Sequence, residues 1–125
     1  MDSEKKKILV IDDQEEILDL VVTTLKSDQF LILQAERDEE AIDIALKENP
    51  NLILMDIMMS GDVDGLESTR KLKLDHRTKK INIIMLTSKG QKEDYEKGFM
   101  AGADDYFIKP FSPLGLIRKV EEVLK

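Results

Sequence analysis

Five short runs of apolar residues set the strongest limit on what this chain can fold into. They are Ile8-Leu9-Val10-Ile11, Phe30-Leu31-Ile32-Leu33, Leu52-Ile53-Leu54-Met55, Ile83-Ile84-Met85-Leu86 and Tyr106-Phe107-Ile108. Each run is continuous and does not alternate with polar residues, as a strand buried on both faces of a parallel sheet requires. Taken singly, each reads equally well as buried helix. Five of them about 20 to 30 residues apart, with helical patterns between, read as β-α units.

The intervening segments carry those patterns. Ile17, Leu18, Val21 and Leu25 form one stripe, with Glu15, Glu16, Asp19 and Lys26 outside it. Ala41, Ile42, Ala45 and Leu46 repeat it before Asn49-Pro50 ends the helix. Leu66, Leu72 and Leu74 mark a third helix more loosely, and Leu114, Ile117, Val120, Val123 and Leu124 mark the last. A fourth, over residues 92–101, is the weakest, with Tyr95 and Phe99 as its aromatic contacts and Gly98 inside it. Glycine costs about 1 kcal/mol in a helix interior, so this helix is expected to move most easily. The reading is a (βα)5 α/β fold and one domain over 1–125.

Composition removes several classes of chemistry. The 125 residues include no cysteine, which excludes disulfides, thiol nucleophiles and thiolate metal sites. A single histidine, His76, excludes a multi-histidine zinc site. The net charge of −7 argues against direct nucleic acid binding or an anionic membrane as partner. No apolar run approaches the roughly 20 residues that span a bilayer, and the polar N-terminus lacks a signal-peptide core. A cytoplasmic location is the expectation. The methionines at 55, 58, 59 and 85 read as packing at strand ends, since no histidine or cysteine accompanies them as a copper ligand.

In open α/β sheets, ligands bind beyond the carboxyl ends of the strands. Asp12 and Asp13 follow the first run, Asp56 ends the third, Thr87-Ser88 follows the fourth and Lys109-Pro110 the fifth. A parallel sheet gathers these ends on one edge. Three carboxylates there repel one another, and a hard cation such as Mg²⁺, which takes oxygen ligands, resolves the conflict. The Thr87 hydroxyl and the Lys109 ammonium are then suited to bind a tetrahedral dianion. Singly, each feature has a plainer reading: Asp-Asp as a helix cap, Asp56 as a loop carboxylate, Thr87 as a helix start, Lys109 as a solvated lysine. Together, each at the end of its own strand, they read as one site that accepts a phosphoryl group on a carboxylate.

With Ile8-Leu9-Val10-Ile11-Asp12-Asp13, Leu54-Met55-Asp56-Ile57-Met58-Met59, Asp64-Gly65-Leu66-Glu67, Met85-Leu86-Thr87-Ser88 and Gly102-Ala103-Asp104-Asp105-Tyr106 running into Lys109-Pro110-Phe111, the chain resembles the receiver domain of two-component response regulators, of the chemotaxis-regulator type. The resemblance covers nearly the whole chain. It implies a flavodoxin-like sheet of strand order 2-1-3-4-5 and an Asp56 that takes a phosphoryl group from a phosphohistidine of a sensor histidine kinase or a histidine phosphotransfer protein. It implies that Asp12, Asp13, Asp56 and the backbone carbonyl of Met58 hold Mg²⁺, and that Lys109 pairs with the acyl phosphate. Thr87 matches the switch hydroxyl and Tyr106 the aromatic that turns inward behind it; without the motif, Tyr106 reads simply as core. The Lys109–Pro110 bond is expected to be cis. Phosphorylation would then repack the face of the fourth helix, fifth strand and fifth helix for a downstream effector protein or a C-terminal output domain.

The chain departs from the family pattern after Asp56. Ser60 stands where proline is common, and Gly61-Asp62-Val63 lengthens the loop by one residue before Asp64-Gly65. The loop is expected to be more mobile, which bears on the position of the Met58 carbonyl. Two variable positions are expected to set the lifetime of the phosphorylated form: apolar Met58 shielding the acyl phosphate, and Lys89 drawing in an anion or water. Met58→Asn is therefore expected to speed loss of the phosphoryl group, followed by intact mass against time; an unchanged decay rate contradicts this. His76, within 73–80, is expected to be a solvated loop residue and not a phosphotransfer histidine, and residues 70–80 a solvated charged face.

Three functions compete. A phosphoacceptor switch catalyses only its own phosphorylation and dephosphorylation and is not a conventional turnover enzyme. Haloacid-dehalogenase phosphohydrolases also use a strand-end Asp with Thr and Lys, but need a second Asp where this chain has Met58. A pseudo-receiver binds a partner without phosphorylation, against which Asp13, Asp56, Thr87 and Lys109 are all present. A P-loop nucleotide binder is excluded by the missing Gly-x-x-x-x-Gly-Lys-Ser/Thr. The 125 residues account for a receiver and leave none for an output function: if they are the whole protein, it is expected to act by docking to another protein, and if they belong to a longer chain, a C-terminal output domain is expected beyond them.

Overall fold

A computed structural model describes residues 5–12, 14–56, 65–87, 99–108 and 112–124. Along the chain run β1 (Lys6–Ile11), α1 (Glu15–Leu25), β2 (Phe30–Ala35), α2 (Asp38–Glu48), β3 (Leu52–Asp56), α3 (Gly65–Leu74), β4 (Asn82–Thr87), β5 (Asp105–Ile108) and the C-terminal helix, here α4 (Pro113–Val123). Residues 99–101 are helical, and the rest of the helix expected over 92–101 lies outside the described residues. The five strands are all parallel and lie in the order β2-β1-β3-β4-β5.

The unbroken apolar runs follow from a sheet covered on both faces. Leu9, Ile11, Ile53, Met55, Ile83 and Met85 point to one face, where they meet Ala41, Ala45 and Leu72 of α2 and α3. Ile8, Val10, Leu52, Leu54, Ile84 and Leu86 point to the other, against Leu18, Val21 and Leu25 of α1 and Leu116 and Val120 of α4. A fully buried aliphatic side chain is worth roughly 1.5–3 kcal/mol, whereas ordinary residues differ in helix propensity by less than about 1 kcal/mol. The strands therefore dominate the energetics.

The edges differ from the expectation of full burial. β2 is covered only in part, with Phe30, Ile32 and Leu33 half-buried, Leu31 42% exposed and Ala35 buried, because it pairs only with β1. Three helix stripes also differ, and in α2 it is Leu46 that is exposed while Asp38, Ala41 and Ala45 are buried. In α3 the buried face is Gly65, Ser68, Thr69 and Leu72, while Leu74 is 79% exposed. Polar Ser68 and Thr69 conceal that face in the sequence; Thr69 donates to the Met85 sulfur at 3.3 Å. In the last helix Leu116 is buried and Leu114 is exposed, since Ser112 caps it by accepting from the Gly115 N–H at 2.9 Å and Pro113 starts it.

α2 ends on Asn49, in the left-handed region at φ 48°, with its N–H donated to Ala45 O. Only glycine and asparagine adopt this conformation readily. Asn49→Ala is expected to cost about 1 kcal/mol and Asn49→Gly to cost nothing, as read from thermal midpoints; equal midpoints for the two would show that the cap conformation carries no cost.

The charged stretch after α3 is only partly a solvated face. His76 is 85% exposed, and hydrogen bonding to Arg77 holds the Asp75 carboxyl well below the usual carboxylate range. Lys73, however, is tucked in. Its Nζ donates to Ile81 O at 2.7 Å, Lys79 O at 3.1 Å and Asp104 Oδ2 at 2.8 Å, and that same Oδ2 accepts from the Ile83 N–H at 2.8 Å. The stem of Lys73 lies over Gly102, whose φ of 107° is open to glycine and where a Cβ would come within 2.8 Å of Lys73 Cγ. This clasp ties α3 to the starts of β4 and β5.

Candidate active site

The sheet register builds the site. Ile11 is opposite Met55, so the next residues on these neighbouring strands, Asp12 and Asp56, stand side by side about 4.8 Å apart in strand spacing. Asp56 is opposite Leu86, which places Thr87 one step beyond on β4, and Thr87 is opposite Ile108, which Lys109 follows. The carboxyl ends of β1, β3 and β4 therefore place Asp12, Asp56 and the backbone of Thr87 at one edge of the sheet. Asp13, Met58, Lys109 and Pro110 lie outside the described residues, as do Ser60, the 61–63 loop and Lys89. Thr87 is described by its backbone, as the last residue of β4.

Asp12 and Asp56 are almost completely buried, at 0% and 2% exposure. Burying two carboxylates is costly unless polar partners or a cation compensate. Asp12 Oδ1 accepts from the Gln14 N–H at 2.9 Å, and the Asp12 N–H donates to Ala35 O at 3.2 Å. α1 has no side-chain cap from Gln14 itself, so Asp12 turns the chain into α1 through this bond. The helix-cap reading of Asp12 and the site reading are thus compatible, because a carboxylate offers two oxygens with about four lone-pair sites.

The donor chemistry suits a hard divalent cation. The chain has no thiolate, its one histidine lies in the turn after α3, and what the strand ends supply is carboxylate oxygen. Among the described residues no three His, Cys, Asp or Glu side chains converge as ligands, the described part of the expected set being Asp12 and Asp56.

Tyr106 is half-buried, packed on the α2–α3 side of the sheet and edge-on to Phe99, with ring centroids 6.0 Å apart and an interplanar angle of 83°. Both the core reading of Tyr106 and its place on the strand next to Thr87 hold in this arrangement. Sequence reasoning missed one feature of the site, the close approach of Gly65 to Asp56, which only the seating of α3 on β3 reveals.

The sequence matches the family profile described as "Response regulator receiver domain" over residues 8–121. The chain belongs to the response regulator receiver domain family. The receiver is 39% identical over 120 residues to the phosphate regulon transcriptional regulatory protein PhoB of Pseudomonas aeruginosa, covering 96% of this chain and 52% of that protein. It is 42% identical over 119 residues to the transcriptional regulatory protein ResD of Bacillus subtilis, covering 95% of this chain and 48% of that one. The receiver thus spans about half the length of these curated relatives. Among solved structures, the Vibrio cholerae chemotaxis protein CheY4 superposes with a TM-score of 0.90 at 28% identity, over 97% of this chain and 100% of that chain. A putative response regulator from Chloroflexus aurantiacus does so with a TM-score of 0.90 at 29% identity, over 97% and 98%. The strand order, with helices on both faces, is the receiver fold expected from the sequence. Among the described residues no helix is long and apolar enough to cross a membrane.

Proposed function

We propose that this receiver takes a phosphoryl group onto Asp56 from a phosphohistidine of a sensor histidine kinase or histidine phosphotransfer protein. The observation that supports this most is the pairing of two buried carboxylates, Asp12 and Asp56, on adjacent strand ends in a chain of this family. Buried acid side by side is a poor structural choice and a good phosphoacceptor site.

In this reading a carboxylate oxygen of Asp56 attacks phosphorus in line, the P–N bond of the donor breaks, and the histidine nitrogen leaves with its electron pair. Positioning and charge neutralisation are most of what such a transfer asks of the protein. Lys109 neutralises one phosphoryl oxygen, and the Thr87 hydroxyl donates to another. Asp12, Asp13, Asp56 and the Met58 carbonyl would hold Mg²⁺, which when bound offsets the negative charge that gathers there. The modification adds roughly −1.5 to −2 of charge. Thr87 then moves toward it, Tyr106 fills the vacated volume, and the surface built from residues 92–101, β5 and α4 shifts between two populations. An effector protein or a covalently attached output domain reads that surface. We read residues 1–125 as one receiver domain working in the cytoplasm, catalysing only its own aspartyl phosphorylation from a donor and its own dephosphorylation, without turnover on other substrates.

The test is incubation with acetyl phosphate and Mg²⁺, followed by intact mass. One acid-stable, base-labile phosphoryl group that a chelator prevents is the expected result. Steady phosphate release without a trapped adduct points instead to a phosphohydrolase, and no label at all to a protein-interaction module; either overturns the proposal.

A further inference from the structure

Gly65 is the buried first residue of α3 and lies directly against the strand that ends in Asp56. A Cβ at Gly65 would overlap the carbonyl oxygen of Asp56, and would lie 3.0 Å from the Asp56 carbonyl carbon and 3.0 Å from Met55 Cγ. Carbon–oxygen contacts normally begin at about 3.3 Å, so something must move. The carbonyl belongs to β3, which is paired on one side with β1 and on the other with β4, and a central strand cannot retreat without loss of its ladder. Nor is α3 loose: Leu72 is buried with its carbonyl accepting from the Thr78 hydroxyl at 2.6 Å, and Thr69 is bonded to Met85. The displacement falls on the junction itself, at the residue whose carboxylate sits beside Asp12.

A plainer account is that a small residue is needed wherever a helix meets a strand. That account predicts lost stability alone. We propose that Gly65 is also a positioning residue for phosphoryl uptake: by lacking a side chain it lets α3 seat on the Asp56 carbonyl, which fixes the direction of the Asp56 carboxylate. The inference rests on Asp56 being the phosphoacceptor. A misplacement of about 1 Å can cost on the order of 10²-fold in rate.

The experiment compares the 125-residue wild type with Gly65→Ala and Leu72→Ala. Leu72→Ala weakens the same helix, at a residue that packs in the core. The rate of labelling by saturating acetyl phosphate with Mg²⁺ is divided by the folded fraction from circular dichroism. Gly65→Ala is expected to label roughly 10- to 100-fold more slowly, with Leu72→Ala at the wild-type rate per folded molecule. In parallel, the ¹³C carboxyl resonance of Asp56 is expected to shift in Gly65→Ala while that of Asp12 stays. Wild-type labelling by Gly65→Ala, or a rate loss shared equally by Leu72→Ala, overturns the inference. If wild type takes no phosphoryl group, the functional reading falls, and the carboxyl resonances still decide whether Gly65 positions Asp56. Should Gly65→Ala fold only in part, the ¹³C carboxyl resonances of its folded fraction carry the test: an Asp56 resonance at the wild-type position overturns the inference.

Discussion

Asp56→Asn is expected to abolish phosphoryl uptake from any donor. The amide matches the carboxylate in shape and keeps one accepting oxygen, so the β3 end keeps its packing. It has no anionic oxygen with which to attack phosphorus. Asp56 is 2% exposed, so no solvent-exposed carboxylate can substitute for it at the same place. Intact mass after incubation with acetyl phosphate and Mg²⁺ reads the result, with circular dichroism to show that the variant is folded. A variant that labels as wild type does would remove Asp56 from the mechanism.

Asp12→Asn is expected to raise the Mg²⁺ concentration for half-maximal labelling by about 10- to 100-fold. Asparagine retains an oxygen that can accept the Gln14 N–H now bound by Asp12 at 2.9 Å, so the turn into α1 is kept while one negative charge is lost. Asp12→Ala removes both. It should show the same Mg²⁺ defect and in addition lose about 1 kcal/mol of stability, the usual cost of losing such a local acceptor. The pair separates the two roles that one side chain plays. An unchanged Mg²⁺ requirement in Asp12→Asn would show that its charge is not part of the cation site.

The fold was legible because the strands carry most of the burial energy. A residue such as Ile53 or Leu54 must be apolar whichever face it meets, so the central runs show in the sequence without ambiguity. The chemistry was legible for the same reason: parallel topology turns "the residue after the run" into a place, and Asp12 and Asp56 stand there. What the sequence hid depends on contacts between elements. Ser68 and Thr69 look like surface residues and are buried, because α3 meets the sheet through small polar side chains that find partners. Leu114 looks like core and is exposed, because the Ser112 cap and Pro113 set the phase of the last helix. Lys73 reads as one lysine in a charged stretch, and only the approach of Asp104, 31 residues away, makes it a clasp. Gly65 stands in the sequence only as part of the Asp64-Gly65-Leu66-Glu67 motif, and its meaning lies in the Asp56 carbonyl that a side chain there would overlap.

The most direct measurement locates the modification. The protein is labelled with acetyl phosphate and Mg²⁺, reduced with borohydride, which converts an aspartyl phosphate to homoserine, and the peptides are sequenced by mass spectrometry. Homoserine at position 56, and at no other aspartate, is the predicted result. Homoserine at Asp12 or Asp13 with Asp56 intact, or none anywhere in a folded protein, would contradict it.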